Sequence, residues 1–159
     1  MDIEFVLVNG DNQEQLEQVV ELFEEYRKSL PIDLCFQNYQ QELADLPGKY
    51  LIPKGRLYLA YVEGEVAGCV ALRPFDNMNG EVKRLYVRKQ YRKCGVGRYL
   101  MNVIIDDARQ IGYDTLLLDT LSSMKAAIRL YENLGFEICP SYYNNPNQDT
   151  VYMQMIISK

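Results

Sequence analysis

The chain has 159 residues, 48% of them hydrophobic, which suits one domain with a substantial core, so we treat residues 1–159 as a single domain. Its 17 basic and 22 acidic residues give a formal charge of −5 with no long basic run, which argues against a nucleic-acid partner. The absence of histidine, and of any C-x-x-C pair among the four cysteines, excludes a Cys/His zinc site and argues against a disulfide framework.

The N-terminal part of the chain predicts a strand followed by two helices. Residues 3–8 predict the strand, and Asp11 followed three residues later by Glu14 is typical of a helix N-cap. One apolar face of the first helix is made of Leu16, Val19, Val20, Phe23 and Tyr26. Residues 37–46 predict a second, shorter helix that ends at Pro47-Gly48.

The middle of the chain predicts three strands. Residues 56–62 and 65–72 are joined through Glu63-Gly64, which indicates a hairpin. Residues 77–80 predict a turn, and residues 82–87 predict the third of these strands. That strand leads directly into a glycine-containing segment.

Residues 92–97, Arg-Lys-Cys-Gly-Val-Gly, connect this strand to a helix that ends near Gly112. Gly95 and Gly97 allow positive φ and let a ligand approach the main chain without meeting a Cβ atom. The start of a helix also directs several N–H groups toward one place, next to the cations of this segment. The segment therefore predicts an anion site, suited to a pyrophosphate.

Two other phosphate-binding motifs can be compared with this segment. A Walker loop needs Gly-Lys-Ser or Gly-Lys-Thr at the helix start, and Gly97 is followed by Arg98 and Tyr99, which excludes it. A dinucleotide fingerprint needs a third small residue where Leu100 stands, which weakens that interpretation. It stays open because Asp119, at the end of the next strand, resembles the ribose-binding acid.

The C-terminal part alternates strands and helices. Residues 115–119 predict a strand, residues 122–134 a helix, and residues 136–139 and 151–156 the final strands. The polar loop 141–149 separates the last two. Strands that first form a meander and then alternate with helices predict a mixed α/β fold, with one sheet covered on both faces.

Two motifs carry a resemblance to a known family. They are Glu-Val-Lys-Arg-Leu-Tyr-Val at 81–87 with Arg-x-x-Gly-x-Gly at 92–97, and Leu-Tyr-Glu-Asn-Leu-Gly-Phe-Glu at 130–137. Over about residues 57–136 the chain resembles the GNAT family of acetyl-CoA-dependent N-acetyltransferases. The resemblance implies a mostly antiparallel sheet of six to seven strands, with splayed parallel fourth and fifth strands and about four helices. It also implies direct transfer of the acetyl group of acetyl-CoA to a primary amine of a small molecule or peptide, without a metal.

The resemblance assigns the coenzyme to the wedge between the splayed strands. Pantetheine would bond like an added strand to the main chain near Val87, and the Leu85 N–H would face the thioester carbonyl. The amides between Lys93 and Arg98 would hold the pyrophosphate. The cofactor-binding candidates are Leu85, Val87, Arg92, Lys93, Cys94, Gly95, Val96, Gly97 and Arg98.

The resemblance also assigns an acid and a base. Glu81 matches the glutamate that some relatives use as general base, and Tyr131 matches the tyrosine that protonates the coenzyme thiolate. Glu81 could instead pair with Lys83, Arg73 or solvent, and Tyr131 could be a core aromatic. Many relatives carry an asparagine seven residues before the tyrosine, where this chain has Met124.

In such folds the acceptor site is shaped by the segment between the first two helices and the loop before the last strand. These are residues 30–37 and 142–146, which could bind an amino acid, a polyamine or a peptide end. Phe36 and Asp119 are the substrate-binding candidates.

Two other functions stay open at this point. A non-catalytic acetyl-CoA-binding module is expected if Glu81 and Tyr131 face away from the wedge, and a dinucleotide-dependent oxidoreductase if the Gly95 turn opens a fully parallel sheet. Dimers are common among such folds, so a homodimer is a further expectation. The N-terminal residues lack a secretory signal and no segment has transmembrane length, so we expect a cytoplasmic protein without a membrane partner.

Overall fold

The computed structural model describes residues 2–32 and 38–158. In that part of the chain, a single sheet of seven strands is covered by four α-helices. The strands are β1 (Ile3–Leu7), β2 (Arg56–Val62), β3 (Glu65–Pro74), β4 (Asn79–Val87), β5 (Thr115–Leu121), β6 (Glu137–Cys139) and β7 (Thr150–Ile156). The helices are α1 (Gln13–Ser29), α2 (Tyr39–Asp45), α3 (Val96–Ile111) and α4 (Lys125–Leu134), and two 3-10 helices span Gly48–Tyr50 and Lys89–Cys94.

The sheet has the strand order β1-β2-β3-β4-β5-β7-β6, and every neighbouring pair except β4–β5 is antiparallel. This confirms the predicted mixed fold. It also removes the dinucleotide-dependent oxidoreductase, because that interpretation required a parallel sheet at the glycine turn.

The two faces of the sheet bury two separate apolar clusters. On one face α3 and α4 pack over the alternate residues of the central strands, including Val70, Leu72 and Leu116. On the other face α1 and α2 pack over the intervening residues, among them Cys69 and Ala71. Because successive strand residues point to opposite faces, each central strand contributes to both clusters.

The parallel pair β4–β5 separates after three residue pairs. The last pair joins Glu81 to Leu117. On the other edge of β4 the register with β3 shifts between the pairs Cys69–Tyr86 and Ala71–Lys83, and Arg84, within this bulge, has φ of 60°. The two strands therefore diverge around the middle of β4, which forms the expected wedge.

Several predicted element boundaries differ from the structure, and three of the differences have a clear local cause. The N-cap of α1 is Asn12 and not Asp11, since the Asn12 side chain accepts a hydrogen bond from the Gln15 N–H at 3.1 Å. Residues 79–80 extend β4, and the turn before it is closed by the Asp76 carboxylate, which accepts from the N–H groups of Met78 and Asn79 at 2.8 Å. The last helix begins at 125 and not 122, because β5 continues to Leu121 in its ladder with β7.

None of the helices formed by the described residues is long and apolar enough to cross a membrane. The described residues also hold no group of three or more Cys, Asp or Glu side chains that could bind a metal ion.

Candidate active site

An open groove of about 680 Å³ runs from the glycine turn to the wedge. It is lined by Leu85, Tyr86 and Val87 of β4 on one side and by residues 123–127 and Leu130 on the other. Six of the nine predicted coenzyme residues line it: Leu85, Val87, Arg92, Gly95, Gly97 and Arg98. The other three, Lys93, Cys94 and Val96, do not line it, and the Val96 side chain is wholly buried in the core.

The glycine turn forms the N-terminus of α3. Gly95 has φ of +82°, in the left-handed region that favours glycine, and no described side chain caps the helix. The first N–H groups of α3 have no partner inside the helix and are left for a ligand. Arg92 is held nearby, since its Nε donates to the Val87 carbonyl at 2.9 Å.

The packing of the fold does not require a glycine at position 97. A Cβ atom at Gly97 would lie 3.4 Å from Leu130 Cδ2 and 3.8 Å from Val87 Cγ2, both ordinary contacts. The protein itself would therefore accept a small side chain here, and the missing Cβ leaves the main chain open to the groove. Unpaired amides, a missing side chain and flanking arginines fit a diphosphate.

A narrow cavity of about 70 Å³ continues the groove into the wedge. Tyr26, Leu85, Met124 and Ala127 line both spaces, so the groove opens into the cavity. The cavity is also lined by charged and phenolic side chains, which are Lys83, Arg84, Asp119 and Tyr131. The groove therefore ends in a chamber that is lined by both apolar and polar side chains.

Tyr131 reaches this chamber from α4. It is 7% exposed, its ring packs against Phe136 with centroids 5.9 Å apart, and its hydroxyl has no hydrogen-bond partner among residues 2–32 and 38–158. Burial raises the pKa of the Tyr131 phenol, and the nearby Tyr26 and Asp119 raise it further. The Tyr131 hydroxyl therefore remains available, among the described residues, to donate a proton to a ligand. Tyr26 brings a second phenol to the cavity, with a pKa that burial raises to about 12.

Glu81 lies outside the lining of both spaces. It is 1% exposed, its Oε1 accepts from the Arg73 Nε at 2.9 Å, and its Oε2 accepts from the Tyr142 hydroxyl at 2.6 Å. The Lys83 Nζ lies 3.8 Å from Oε2. Both pairing partners considered in the sequence, Arg73 and Lys83, are thus present together.

Asp119 lines the cavity from β5. Its Oδ1 lies 3.5 Å from the Lys83 Nζ, and its Oδ2 accepts a hydrogen bond from the Tyr143 hydroxyl. Burial lowers the pKa of the Lys83 ammonium, and the carboxylates of Asp119 and Glu81 oppose that effect. The loop before β7 therefore supplies one tyrosine hydroxyl to each of the two carboxylates.

Sequence reasoning placed Tyr142 and Tyr143 in the acceptor loop without giving either one a contact, and it named Lys83 only as a possible partner of Glu81. Lys83 could have been predicted to lie beside Glu81, because a spacing of two residues places both side chains on one face of β4. The two tyrosines come from a loop without periodicity, and only the tertiary fold brings them to β4 and β5. The ring of Tyr142 packs edge-on against Phe75 at 5.0 Å, which fixes that loop.

Two further sequence expectations can be placed. Phe36 lies outside the described residues. Met124 occupies the position of the usual asparagine, lines the groove and accepts a weak hydrogen bond from the Thr120 hydroxyl to its sulfur at 3.7 Å. Of the two serines considered as substitutes for the asparagine, Ser123 lines the groove and Ser122 does not.

Comparisons with known proteins agree with this fold. The acetyltransferase (GNAT) family model matches residues 16–136. An uncharacterized N-acetyltransferase of Schizosaccharomyces pombe is 41% identical over 140 residues, which cover 87% of this chain and 86% of the relative. A GNAT-family acetyltransferase from Staphylococcus aureus Mu50 has a TM-score of 0.81 at 22% identity, covering 99% of this chain and 100% of that chain. A GNAT-family acetyltransferase from Elizabethkingia anophelis, solved with acetyl-CoA bound, has a TM-score of 0.65 at 20% identity over 97% of each chain. The chain therefore belongs to the GNAT family of acetyltransferases and is an acyltransferase enzyme.

Proposed function

We propose that this enzyme, as a single domain, transfers the acetyl group of acetyl-CoA to a primary amine by direct attack of the amine on the thioester. The observation that carries the proposal is the continuity of the groove with the cavity, because an extended coenzyme in the groove would present its thioester to the buried polar groups. The solved relative from Elizabethkingia anophelis holds acetyl-CoA, which supports this choice of coenzyme.

In this proposal the coenzyme is bound mainly by the main chain. The diphosphate would accept hydrogen bonds from the N–H groups at the start of α3, with Arg92 and Arg98 adding charge. The pantetheine arm would lie along residues 85–87. The Leu85 N–H, at a residue opposite the shift in the β3–β4 register, would donate to the thioester oxygen as negative charge develops on it.

Asp119 and Tyr131 would handle the protons. Asp119 would take one proton from the acceptor ammonium, and the freed nitrogen lone pair would attack the carbonyl carbon. As the C–N bond forms and the C–S bond breaks, the departing thiolate would take the Tyr131 hydroxyl proton. The nitrogen would then give up its second proton, which restores Tyr131, while Asp119 releases the first to solvent.

Glu81, the base expected from the sequence, has an indirect role in this proposal. Arg73 and Tyr142 occupy its two oxygens, and it does not line the cavity. In this proposal Glu81 is a positioning residue that holds Lys83 and Tyr142 in place. Asp119→Asn should therefore lower kcat more than Glu81→Gln does in the folded fraction of each variant.

Two assays test the proposed function. Acetyl-CoA should raise the melting temperature while NAD should not, because only a coenzyme with a pantetheine arm fits both the turn and the wedge. Release of free CoA thiol should then be measured with a broad panel of amines, including amino acids, diamines and peptides. Stabilisation by NAD and not by acetyl-CoA would refute the coenzyme, and stabilisation by acetyl-CoA without thiol release from any amine would favour a binding module.

A further inference from the structure

Lys83 and Asp119 form an ion pair at the apex of the wedge. The last paired residues of β4 and β5 are Glu81 and Leu117, and the ion pair stands two residues beyond them on each strand. The side chains are 3% and 12% exposed, and both line the cavity. One buried cation and one buried anion therefore share the narrow end of the chamber.

The Lys83 ammonium is incompletely bonded. It has three N–H donors, yet it forms no hydrogen bond with the described residues, and its ion-pair distances are 3.5 and 3.8 Å. The neighbouring carboxylates bind more closely to other donors, since Arg73 and Tyr142 hold Glu81 and a tyrosine hydroxyl holds Asp119. A buried cation without full hydrogen bonding is costly, and burial accordingly lowers the pKa of this lysine. An anionic ligand group would remove that cost.

We infer that the Lys83–Asp119 pair binds the zwitterionic head of a free α-amino acid, with the carboxylate on Lys83 and the amino group on Asp119. This inference rests on the proposed function and names its acceptor class. The two opposite charges of the pair complement the two charges of the ligand at short range. The cavity of about 70 Å³ suits a small head group.

The competing acceptors fit this pair less well. A polyamine would bring a second cation toward Lys83. A peptide N-terminus carries a neutral amide where the free amino acid carries its carboxylate, so the ammonium of Lys83 would lose its charged partner. Hydrogen bonds to a charged group are stronger than neutral ones, so this difference should appear in the acceptor preference.

Matched acceptors test the inference in the unmodified enzyme. The kcat/KM for thiol release is measured with each common L-amino acid, its carboxamide and its decarboxylated amine, alongside diamines and short peptides. At least one amino acid should exceed its own amide and amine by about 10- to 100-fold. Amides or decarboxylated amines that are used equally well or better would overturn the inference.

Variants of Lys83 provide the second arm. Lys83→Met should raise KM for the preferred amino acid and bring its advantage over the amide close to one, with the Kd for acetyl-CoA unchanged. Lys83→Arg should restore part of the preference. Lys28→Met, at an exposed position of α1, is the matched control and should leave the preference intact. Retention of the full preference in Lys83→Met would overturn the inference.

Failure of the inference and failure of the proposed function give different results. Turnover of peptides or diamines without turnover of any amino acid would leave the acetyltransferase proposal standing and reject the amino-acid subsite. If no amine releases thiol, calorimetric titration of the same amino acids and amides onto the CoA-bound protein decides the inference alone. Preferential binding of an amino acid that Lys83→Met abolishes would support it, and equal or undetectable binding would reject it.

Discussion

Replacing Gly97 by alanine should make the protein more stable and should weaken its binding of the coenzyme. The added Cβ would meet Leu130 and Val87 only at 3.4 and 3.8 Å, and the backbone of Gly97 is outside the left-handed region. Glycine within a helix costs roughly 0.5–1 kcal/mol relative to alanine. The free energy of unfolding should rise by up to that amount, which for a domain of this size corresponds to about 1–4 °C in Tm.

The same methyl group would project into the groove where the coenzyme main-chain contacts are proposed. Forcing an extra methyl into a packed interface costs about 1–3 kcal/mol. At about 1.4 kcal/mol per factor of ten, Kd for acetyl-CoA should rise about 5- to 150-fold. Urea unfolding of the free protein and calorimetric titration of acetyl-CoA measure the two effects separately.

Gly112, at the opposite end of α3, provides the matched control. Its φ is +102°, and a Cβ there would meet nothing within 4 Å. Gly112→Ala should therefore lower stability by about 1–2 kcal/mol through backbone strain and leave Kd unchanged. An unchanged Kd in Gly97→Ala would refute the diphosphate site at the start of α3, and a loss of stability in that variant would show that the fold itself requires the glycine.

Three further variants test the chamber and the sheet. Tyr131→Phe should lower kcat by about 100-fold or more while Kd for acetyl-CoA is retained, whereas Tyr99→Phe, an exposed tyrosine of α3, should change neither; equal kcat values would contradict a donor role. Glu81→Gln should lower the free energy of unfolding by on the order of 3–5 kcal/mol, because it removes the buried carboxylate that pairs with both Arg73 and Lys83, and a stable variant with reduced kcat would instead indicate a direct base. The hydrogen bond from Arg88 lowers the pKa of Glu25, so its stabilising contribution is complete above the ordinary glutamate pKa and is lost as pH falls through the folded value. Glu25→Gln should accordingly flatten the acid side of the Tm-against-pH curve, and an unchanged slope would remove this pair from the acid response.

The turn at Gly95 and the start of α3 were predictable because their information is local. Gly95, Gly97 and Arg92 lie within six residues of chain, and their effect depends on main-chain geometry that a strand–turn–helix pattern already implies. The same holds for the hairpin at residues 63–64 and for the C-terminal ends of α3 and α4. Backbone recognition needs few specific side chains, so a short motif can describe it.

The acceptor half was only partly predictable because its contacts are long-range. Tyr142 bonds to Glu81 across 61 positions of chain, and Tyr143 bonds to Asp119 across 24. No periodicity links a loop to a strand at such separations. Residues 79–80 were assigned to a turn for the same reason, since their strand conformation depends on pairing with residues 74 and 115 and not on their own propensity.

The acceptor side and the coenzyme side of the site also differ in the interactions that fix their residues in place. In the described part of the chain, three cations and three anions on β3, β4, β5 and α2 form two groups of ion pairs. One group consists of Arg73, Glu81, Lys83 and Asp119, and the other of Arg84 and Glu42. Each carboxylate also accepts a tyrosine hydroxyl, which leaves little freedom to reorient. A network of buried ion pairs is favourable only while every charged group keeps its partner. Substitutions within this network should therefore change protein stability and acceptor preference together. The proposed diphosphate contacts at the glycine turn are made by main-chain groups, so substitutions at Gly97 should separate coenzyme binding from stability.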